Sequence, residues 1–77
     1  MDFNKFTENL ANLFDETDSD EFTAETRFKE LEEWSSLVAL SIIVMIDEKY
    51  QVRIKADDIR YSQTINDLYE IVLLNLD

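Results

Sequence analysis

The sequence predicts an all-α fold, a small four-helix bundle, from three observations. Apolar residues recur at helical spacing in three separate stretches of the chain. Neither glycine nor proline occurs among the 77 residues, which disfavours tight hairpins that need a positive φ. A chain of this length forms one domain whose single core is only marginally sufficient. We therefore expect one domain over residues 1–77, with a long first loop and a short third helix.

The first helix is predicted over about residues 4–15. Its apolar side chains share one face at helical spacing: Phe3, Phe6, Leu10, Leu13 and Phe14. Asp2 or Asn4 can cap the start of the helix by accepting from free backbone N–H groups. The acidic run over residues 15–21 predicts its end, because so dense a run of charge stays in solvent.

A long connection over about residues 17–34 follows without a sustained hydrophobic period. Its isolated apolar residues predict a loop that is pinned on the core: Phe22, Phe28, Leu31 and Trp34. A connection of this length in a small domain is generally ordered, functional or both. Trp34 stands just before the second helix, and we interpret it as a packing residue at the entry to that helix.

The second helix is predicted from Ser36 to Tyr50, and it is apolar on two opposite sides. One side is the expected core stripe: Ala39, Ile42, Ile43, Ile46 and Tyr50. The other side is an apolar strip with a polar, acidic rim: Leu37, Leu40 and Val44, rimmed by Ser41, Asp47 and Glu48. Soluble monomers keep exposed apolar patches small, so this strip predicts a docking surface. The alternative is that a loop or the third helix covers part of it.

The remainder of the chain predicts a short third helix and a closing fourth helix. Residues 52–54 alternate like a strand but are too short to pair alone, and residues 56–60 predict one or two helical turns. The last helix begins at Thr64, where the side chains of Thr64 and Asp67 can each accept from the other's backbone N–H in a capping box. Its expected inward residues are Ile65, Leu68, Tyr69, Val72 and Leu76.

The composition argues against several classes of function. Without cysteine there is no disulfide, thiol nucleophile or thiolate metal site, and without histidine the best proton-transfer group near neutral pH is missing. Eighteen acidic and seven basic residues give a net charge of −11, which repels nucleic acid and anionic membranes and attracts basic proteins. We therefore expect a monomer that is not an enzyme and that binds basic partners.

The sequence also shows no stretch typical of a membrane span or a secretory signal, and no metal-binding motif. The longest apolar stretch, residues 37–46, is too short to span a bilayer, and the acidic N-terminus does not resemble a secretory signal, so we expect a cytoplasmic protein. The acids Asp18, Asp20 and Glu21 lack the ligand spacing of a calcium loop, so no specific metal site is predicted.

Several motifs follow one another in a characteristic order: apolar residues at 28, 31 and 34, then Ser35-Ser36-Leu37, then an acidic and apolar run over residues 40–50. This order resembles the acyl carrier protein family over nearly the full length of the chain. In that family the serine before the leucine opens the helix and carries 4'-phosphopantetheine, whose thiol holds an acyl group as a thioester. The resemblance implies Ser36 as the attachment residue and a bundle of the acyl-carrier type.

The chain departs from the family pattern at a few positions. Ser35 replaces the usual aspartate, Ser41 replaces a frequent acid, and the glycine that is common before the motif is missing. A serine at position 35 can still cap the helix. Asp47 and Glu48 match family acids. The implied partners are a phosphopantetheinyl transferase, which loads the arm, and enzymes of acyl-chain synthesis or transfer with basic patches.

Three hypotheses for the function stay open. The first is a carrier in fatty-acid, polyketide or related biosynthesis, with an undetermined cargo. The second is an unmodified acidic adaptor that binds a basic protein through the same strip, or that mimics nucleic acid by its charge. The third is a carboxylate-based enzyme that uses Asp57 and Asp58, although adjacent acids in a short turn more often serve the start of a helix.

Two details of the carrier hypothesis also stay open. Either Ser35 or Ser36 bears the arm, and the following Leu37 favours Ser36. The family further implies an acyl chain between helices lined by Ile42, Ile46, Leu68 and Val72, whereas the same residues would equally build an ordinary filled core.

Overall fold

The computed structural model describes residues 2–76, so Met1 and Asp77, the two ends of the predicted domain, lie outside the described residues. The described helices are α1 (Phe3–Ala11), α2 (Ser36–Tyr50), α3 (Ala56–Tyr61) and α4 (Ile65–Leu74). Two 3-10 turns, Ser19–Glu21 and Phe28–Glu30, lie in the long connection between α1 and α2. The described residues contain no strand. The predicted all-α fold, with its long first loop and short third helix, is confirmed.

One hydrophobic core holds the helices and the long loop together. Its completely buried apolar members are Phe6, Leu10, Phe28, Ile42, Ile46, Ile65, Leu68 and Val72. Burial of a side chain of this size contributes about 1.5–3 kcal/mol. The centre of the Phe6 ring lies 5.8 Å from the ring centre of Tyr50 and 5.4 Å from that of Tyr69. Aromatic contacts therefore join α1 to both α2 and α4.

The predicted end of the first helix was wrong, because α1 ends at Ala11 and not near residue 15. The backbone N–H groups of Leu13 and Phe14 each donate to the carbonyl three residues back, at 3.0 Å. This tighter turn accompanies the burial of Phe14, whose ring lies 5.2 Å from that of Phe22 in the long loop. Leu13, which was expected on the core face, is left half-buried. At the other end, the Asp2 carboxylate caps α1 as predicted, accepting from the N–H of Asn4 at 2.9 Å.

The long loop is pinned on the core, as predicted. Phe22 and Phe28 are buried, and the ring of Trp34 packs against Phe28 at 5.5 Å. Backbone carbonyls of the loop also accept from the first N–H groups of α4: Thr26 accepts from Ile65 and Ala24 accepts from Asn66, at 3.1 and 3.0 Å. The loop thus satisfies helix-end donors that would otherwise need water or side chains.

The bounds predicted for the second helix are confirmed, and α2 has 15 residues. It ends at Tyr50, and the C-cap residue Gln51 is left-handed, with φ 56° and ψ 37°. A residue other than glycine costs roughly 1–2 kcal/mol in this conformation. The side-chain amide of Gln51 offsets part of this cost, because its Nε2 donates to the carbonyl of Glu48 at 2.9 Å. Within residues 2–76, neither α2 nor another helix is long and apolar enough to cross a membrane.

The predicted capping box of the last helix is confirmed at the start of α4. The N–H of Asp67 donates to the Thr64 hydroxyl at 3.2 Å, and the N–H of Thr64 donates to the Asp67 carboxylate at 3.1 Å. The same carboxylate also accepts from the N–H of Gln63 at 2.9 Å. These backbone donors lower the pKa of Asp67 from its usual 3.8. Before α3, residues 52–54 are not part of a strand, and Val52 and Ile54 are buried.

Replacing Thr64 by alanine should destabilise the protein by about 1 kcal/mol, because the N–H of Asp67 loses its acceptor. The measurement is urea unfolding followed by circular dichroism at 222 nm. Gln63→Ala is the matched control, since the Gln63 side chain is exposed and no hydrogen bond is described for it. Equal stability of wild type and Thr64→Ala would show that this cap contributes nothing.

Candidate functional site

The start of α2 is set by the side chain of Ser35. Its backbone is extended, with φ −158° and ψ 169°, and its hydroxyl accepts from the N–H of Val38 at 3.3 Å. This geometry is that of an N-cap residue, which lies just outside the helix and satisfies one of its free donors. The cap predicted at Ser35 is confirmed, and Ser36 becomes the first residue of the helix.

Ser36 is exposed, and no hydrogen bond of its hydroxyl is described among residues 2–76. In the same part of the chain, the backbone N–H groups of Ser36 and Leu37 have no protein acceptor. Free N–H groups and the positive end of the helix dipole favour a phosphate at such a position, by about 0.3–1 kcal/mol. The residues at the start of α2 therefore fit a phosphodiester on Ser36.

The segment before Ser36 is tied to the long loop through Glu33. Its carboxylate accepts from the Thr17 hydroxyl at 2.6 Å and from the N–H of Glu16 at 2.8 Å. The Thr17 hydroxyl and then the N–H of Glu16 hold the pKa of Glu33 below its usual 4.5. Sequence reasoning missed this contact, because its partners stand 16 and 17 positions apart and no local pattern links them.

The apolar strip of α2 faces solvent along its length. Leu37 is 72% exposed, Leu40 57% and Val44 47%. The rim acids Asp47 and Glu48 are exposed as well. Neither the long loop nor α3 buries the strip, so the alternative in which one of them covers it is not what the structure shows. All five residues named for docking therefore lie on accessible surface.

The two rim acids differ in their surroundings. Asp47 lies 4.0 Å from the guanidinium of Arg53, a long and exposed ion pair that contributes little. Glu48 has no ion pair with any residue in the described part of the chain. Glu48 is therefore the rim carboxylate whose full charge is available to a partner.

An open groove of about 410 Å³ lies beside this strip. It is lined by Leu13, Leu40, Ser41, Val44, Met45, Glu48 and Lys49. The sequence indicated neither Leu13 nor Met45 nor Lys49 for this surface. Helical geometry places Met45 between the two apolar sides of α2, so the spacing alone could have indicated that Met45 borders the strip. Leu13 joins the groove only because α1 ends early, and the sequence pattern contained no sign of that.

A second cavity of about 320 Å³ lies at the long loop and is mainly acidic. Its lining residues are Glu16, Thr17, Glu21, Glu30, Leu31 and Glu32. Within residues 2–76, no group of three or more potential ligands could hold a metal ion. We assign no metal to this cavity.

The adjacent acids Asp57 and Asp58 serve the start of α3. The Asp58 carboxylate accepts from the N–H of Lys55 at 2.8 Å, and Asp57 pairs with Arg60 at 3.3 Å. The Asp58 carboxylate thus caps the start of α3, and Asp57, also in the first turn, forms an exposed ion pair along the helix.

The four residues considered for holding an acyl chain between helices are all completely buried: Ile42, Ile46, Leu68 and Val72. This is the packing expected of a filled core.

In a comparison with known protein families, the family model described as a phosphopantetheine attachment site matches residues 5–72. The match spans most of α1, all of α2 and α3, and most of α4. The comparisons with curated proteins and with solved structures each give no match.

The Thr17 hydroxyl should hold the Glu33 carboxyl ionised at lower pH than usual, so Thr17→Val should raise the pKa of Glu33 toward 4.5. Carboxyl ¹³C shifts followed through an acid titration measure this directly. The pKa of Asp67, which is lowered by the backbone N–H groups of Gln63 and Thr64, should not respond and serves as the internal control.

Thr17→Val should also change how the stability of the protein depends on pH, because the pKa of Glu33 differs between the folded and unfolded states. Because folding lowers the pKa of Glu33, its stabilising contribution is complete above the usual value of 4.5 and is lost as the pH falls through the folded-state value. Thr17→Val should therefore flatten the acid limb of the stability profile. An unchanged Glu33 titration in the variant would contradict the assignment.

Proposed function

We propose a function that starts from one established premise: this chain belongs to the phosphopantetheine-binding carrier family. Domains of this family are not catalytic, bear covalently attached 4'-phosphopantetheine, and meet a phosphopantetheinyl transferase and synthesis enzymes. The thiol of the bound group supplies the chemistry, since it holds an acyl group as a reactive thioester. The residues of this chain position and present it.

Ser36 is the attachment residue in this proposal. The assignment rests on a difference between two adjacent serines. The Ser35 hydroxyl accepts a hydrogen bond from the N–H of Val38, whereas the Ser36 side chain is exposed and has no described partner. The Ser35 side chain is held against the helix by its N-cap hydrogen bond. Modification of Ser35 would sacrifice this bond and is therefore disfavoured. Ser36 has no such contact to lose.

Loading requires no base from this chain. The Ser36 oxygen replaces adenosine bisphosphate on the phosphate of coenzyme A that bears the pantetheine, and the transferase takes the hydroxyl proton. The absence of histidine agrees with this division of roles. The free N–H groups at the start of α2 then face a phosphodiester, which carries one negative charge.

Partner enzymes dock on the apolar strip of α2 in this proposal. Leu37, Leu40 and Val44 supply a small apolar contact, and Asp47 and Glu48 meet lysine or arginine side chains on the partner. Charges at a rim mainly raise association rates and weaken with salt. We infer binding on the order of micromolar, which suits a carrier that must leave each enzyme after transfer.

The cargo belongs to fatty-acid, polyketide or related biosynthesis, and the protein works as a cytoplasmic monomer made of one domain, residues 1–77. The alternative function is an unmodified acidic adaptor, which would use the same strip without an arm. The net charge of −11 favours basic partners in either case.

Incubation with coenzyme A and a broad-range phosphopantetheinyl transferase should add the mass of one arm to the intact protein. Ser36→Ala should abolish this added mass, whereas Ser35→Ala should keep it despite a loss of about 1 kcal/mol of stability from the missing cap. Circular dichroism confirms that both variants are folded. Loading of Ser36→Ala would place the arm on another residue and refute the assignment to Ser36, whereas no loading of the wild type by any transferase would support the adaptor instead.

Glu48→Lys should slow loading by a transferase with a basic docking face, because a free rim carboxylate becomes a repelling charge. We expect a loss of about tenfold in kcat/KM at low salt, and a smaller loss at high salt. Asp20→Lys makes the same change of charge in the loop, outside the strip, and is the control. Equal rates for Glu48→Lys and wild type at low salt would refute the docking role.

A further inference from the structure

We propose that the groove beside α2 holds the thioester end of the arm together with the first carbons of its cargo. This inference rests on the proposed attachment to Ser36. It assigns a place to the cargo on the outside of the bundle, between α2 and the turn that follows α1, and not between the helices.

The groove has the composition and size of a small-molecule site. Its apolar wall consists of Leu13, Leu40, Val44 and Met45, and its volume is about 410 Å³. Ligand pockets of roughly 300–1,000 Å³ are lined in this way, mostly by apolar side chains with a few polar groups. A closed apolar cavity of about 150 Å³ already accepts benzene. The groove is therefore large enough for a medium acyl chain.

The groove lies within reach of Ser36, because both belong to α2. At 1.5 Å per residue, Leu40 lies about 6 Å, Val44 about 12 Å and Glu48 about 18 Å along the helix from Ser36. The arm contains about 14 consecutive bonds of roughly 1.5 Å and spans on the order of 15–18 Å when extended. Its thioester end can therefore reach any residue that lines the groove.

The polar side chains of the groove match the chemistry of the arm, which alternates amides with methylenes. The Ser41 hydroxyl donates to the carbonyl of Leu37 at 3.0 Å, so its oxygen remains available to accept from an amide N–H. Lys49 is exposed and has no described partner among residues 2–76, so its ammonium is available to donate to an amide or thioester carbonyl. Both kinds of hydrogen-bonding group in the arm thus find a partner.

The interior offers no comparable space without cost. Ile42, Ile46, Leu68 and Val72 are completely buried, and separating them would sacrifice the apolar burial that holds the helices together. The groove is open already, so cargo can enter it without moving a helix.

The shared residues have a consequence for partner binding. Leu40 and Val44 belong both to the groove and to the docking strip. A partner that covers them would displace the cargo from the groove, so docking and release of the cargo are coupled.

The direct test compares methyl ¹H–¹³C spectra of the unloaded, the pantetheine-loaded and the octanoyl-loaded protein. Intact mass first establishes loading, so a failure of the attachment proposal is seen separately. We expect octanoyl loading to shift the methyl signals of Leu13, Val44 and Met45. Shifts at Ile42 and Leu68 instead would place the cargo in the core and overturn the inference, as would no shift beyond the first turn of α2.

A second measurement uses matched variants of the octanoyl-loaded protein. Leu40→Ser removes apolar surface from the groove, whereas Leu74→Ser makes the same change at a side chain that is 85% exposed and outside it. Leu40→Ser should accelerate thioester cleavage by hydroxylamine roughly threefold to fivefold, the factor that corresponds to one lost methylene contact. Leu74→Ser should match the wild type. Equal cleavage rates for all three proteins would show that the groove does not shelter the thioester.

Discussion

The burial of Ile42 and Ile46 sets the rotation of α2, and through it everything that this helix presents to solvent. A chain of 77 residues supports a single core, and each helix can give that core only one side. Once these two isoleucines point inward, helical geometry turns Leu40 and Val44 outward. The exposed strip is therefore a direct consequence of how the core is packed, and the proposed docking role would account for its apolar character.

A second constraint acts at the beginning of the same helix. The hydroxyl of Ser35 fixes where α2 starts, and Glu33 fastens the preceding segment to the long loop through Thr17. Ser36 is thus held at the first helical position with its hydroxyl in solvent. The long loop therefore makes two sets of contacts. Its residues 16 and 17 hold Glu33 just before α2, and its carbonyls at residues 24 and 26 accept from the first N–H groups of α4.

Local chemistry explains what the sequence could predict. The bounds of α2 and the capping box at Thr64 depend on residues within one or two turns of each other, so spacing alone indicates them. The early end of α1 depends on Phe14 packing against Phe22 across the loop, and the groove depends on where Leu13 then lies. Contacts of this kind are tertiary, and the hydrophobic period of a single segment contains no information about them. The sequence indicates Ser36 as the candidate attachment residue through its resemblance to a carrier family, whereas no pattern in the sequence indicates the groove beside it.

The central claim is that the hydroxyl of Ser36, freed by the cap at Ser35, carries the arm in the living cell. The most direct measurement is tandem mass spectrometry of the protein isolated from its native cells without added transferase, with fragment ions that separate positions 35 and 36. A phosphopantetheine group on Ser36, with Ser35 unmodified, is the predicted result. A group on Ser35, or a chain that is always found at its bare polypeptide mass, would contradict the claim.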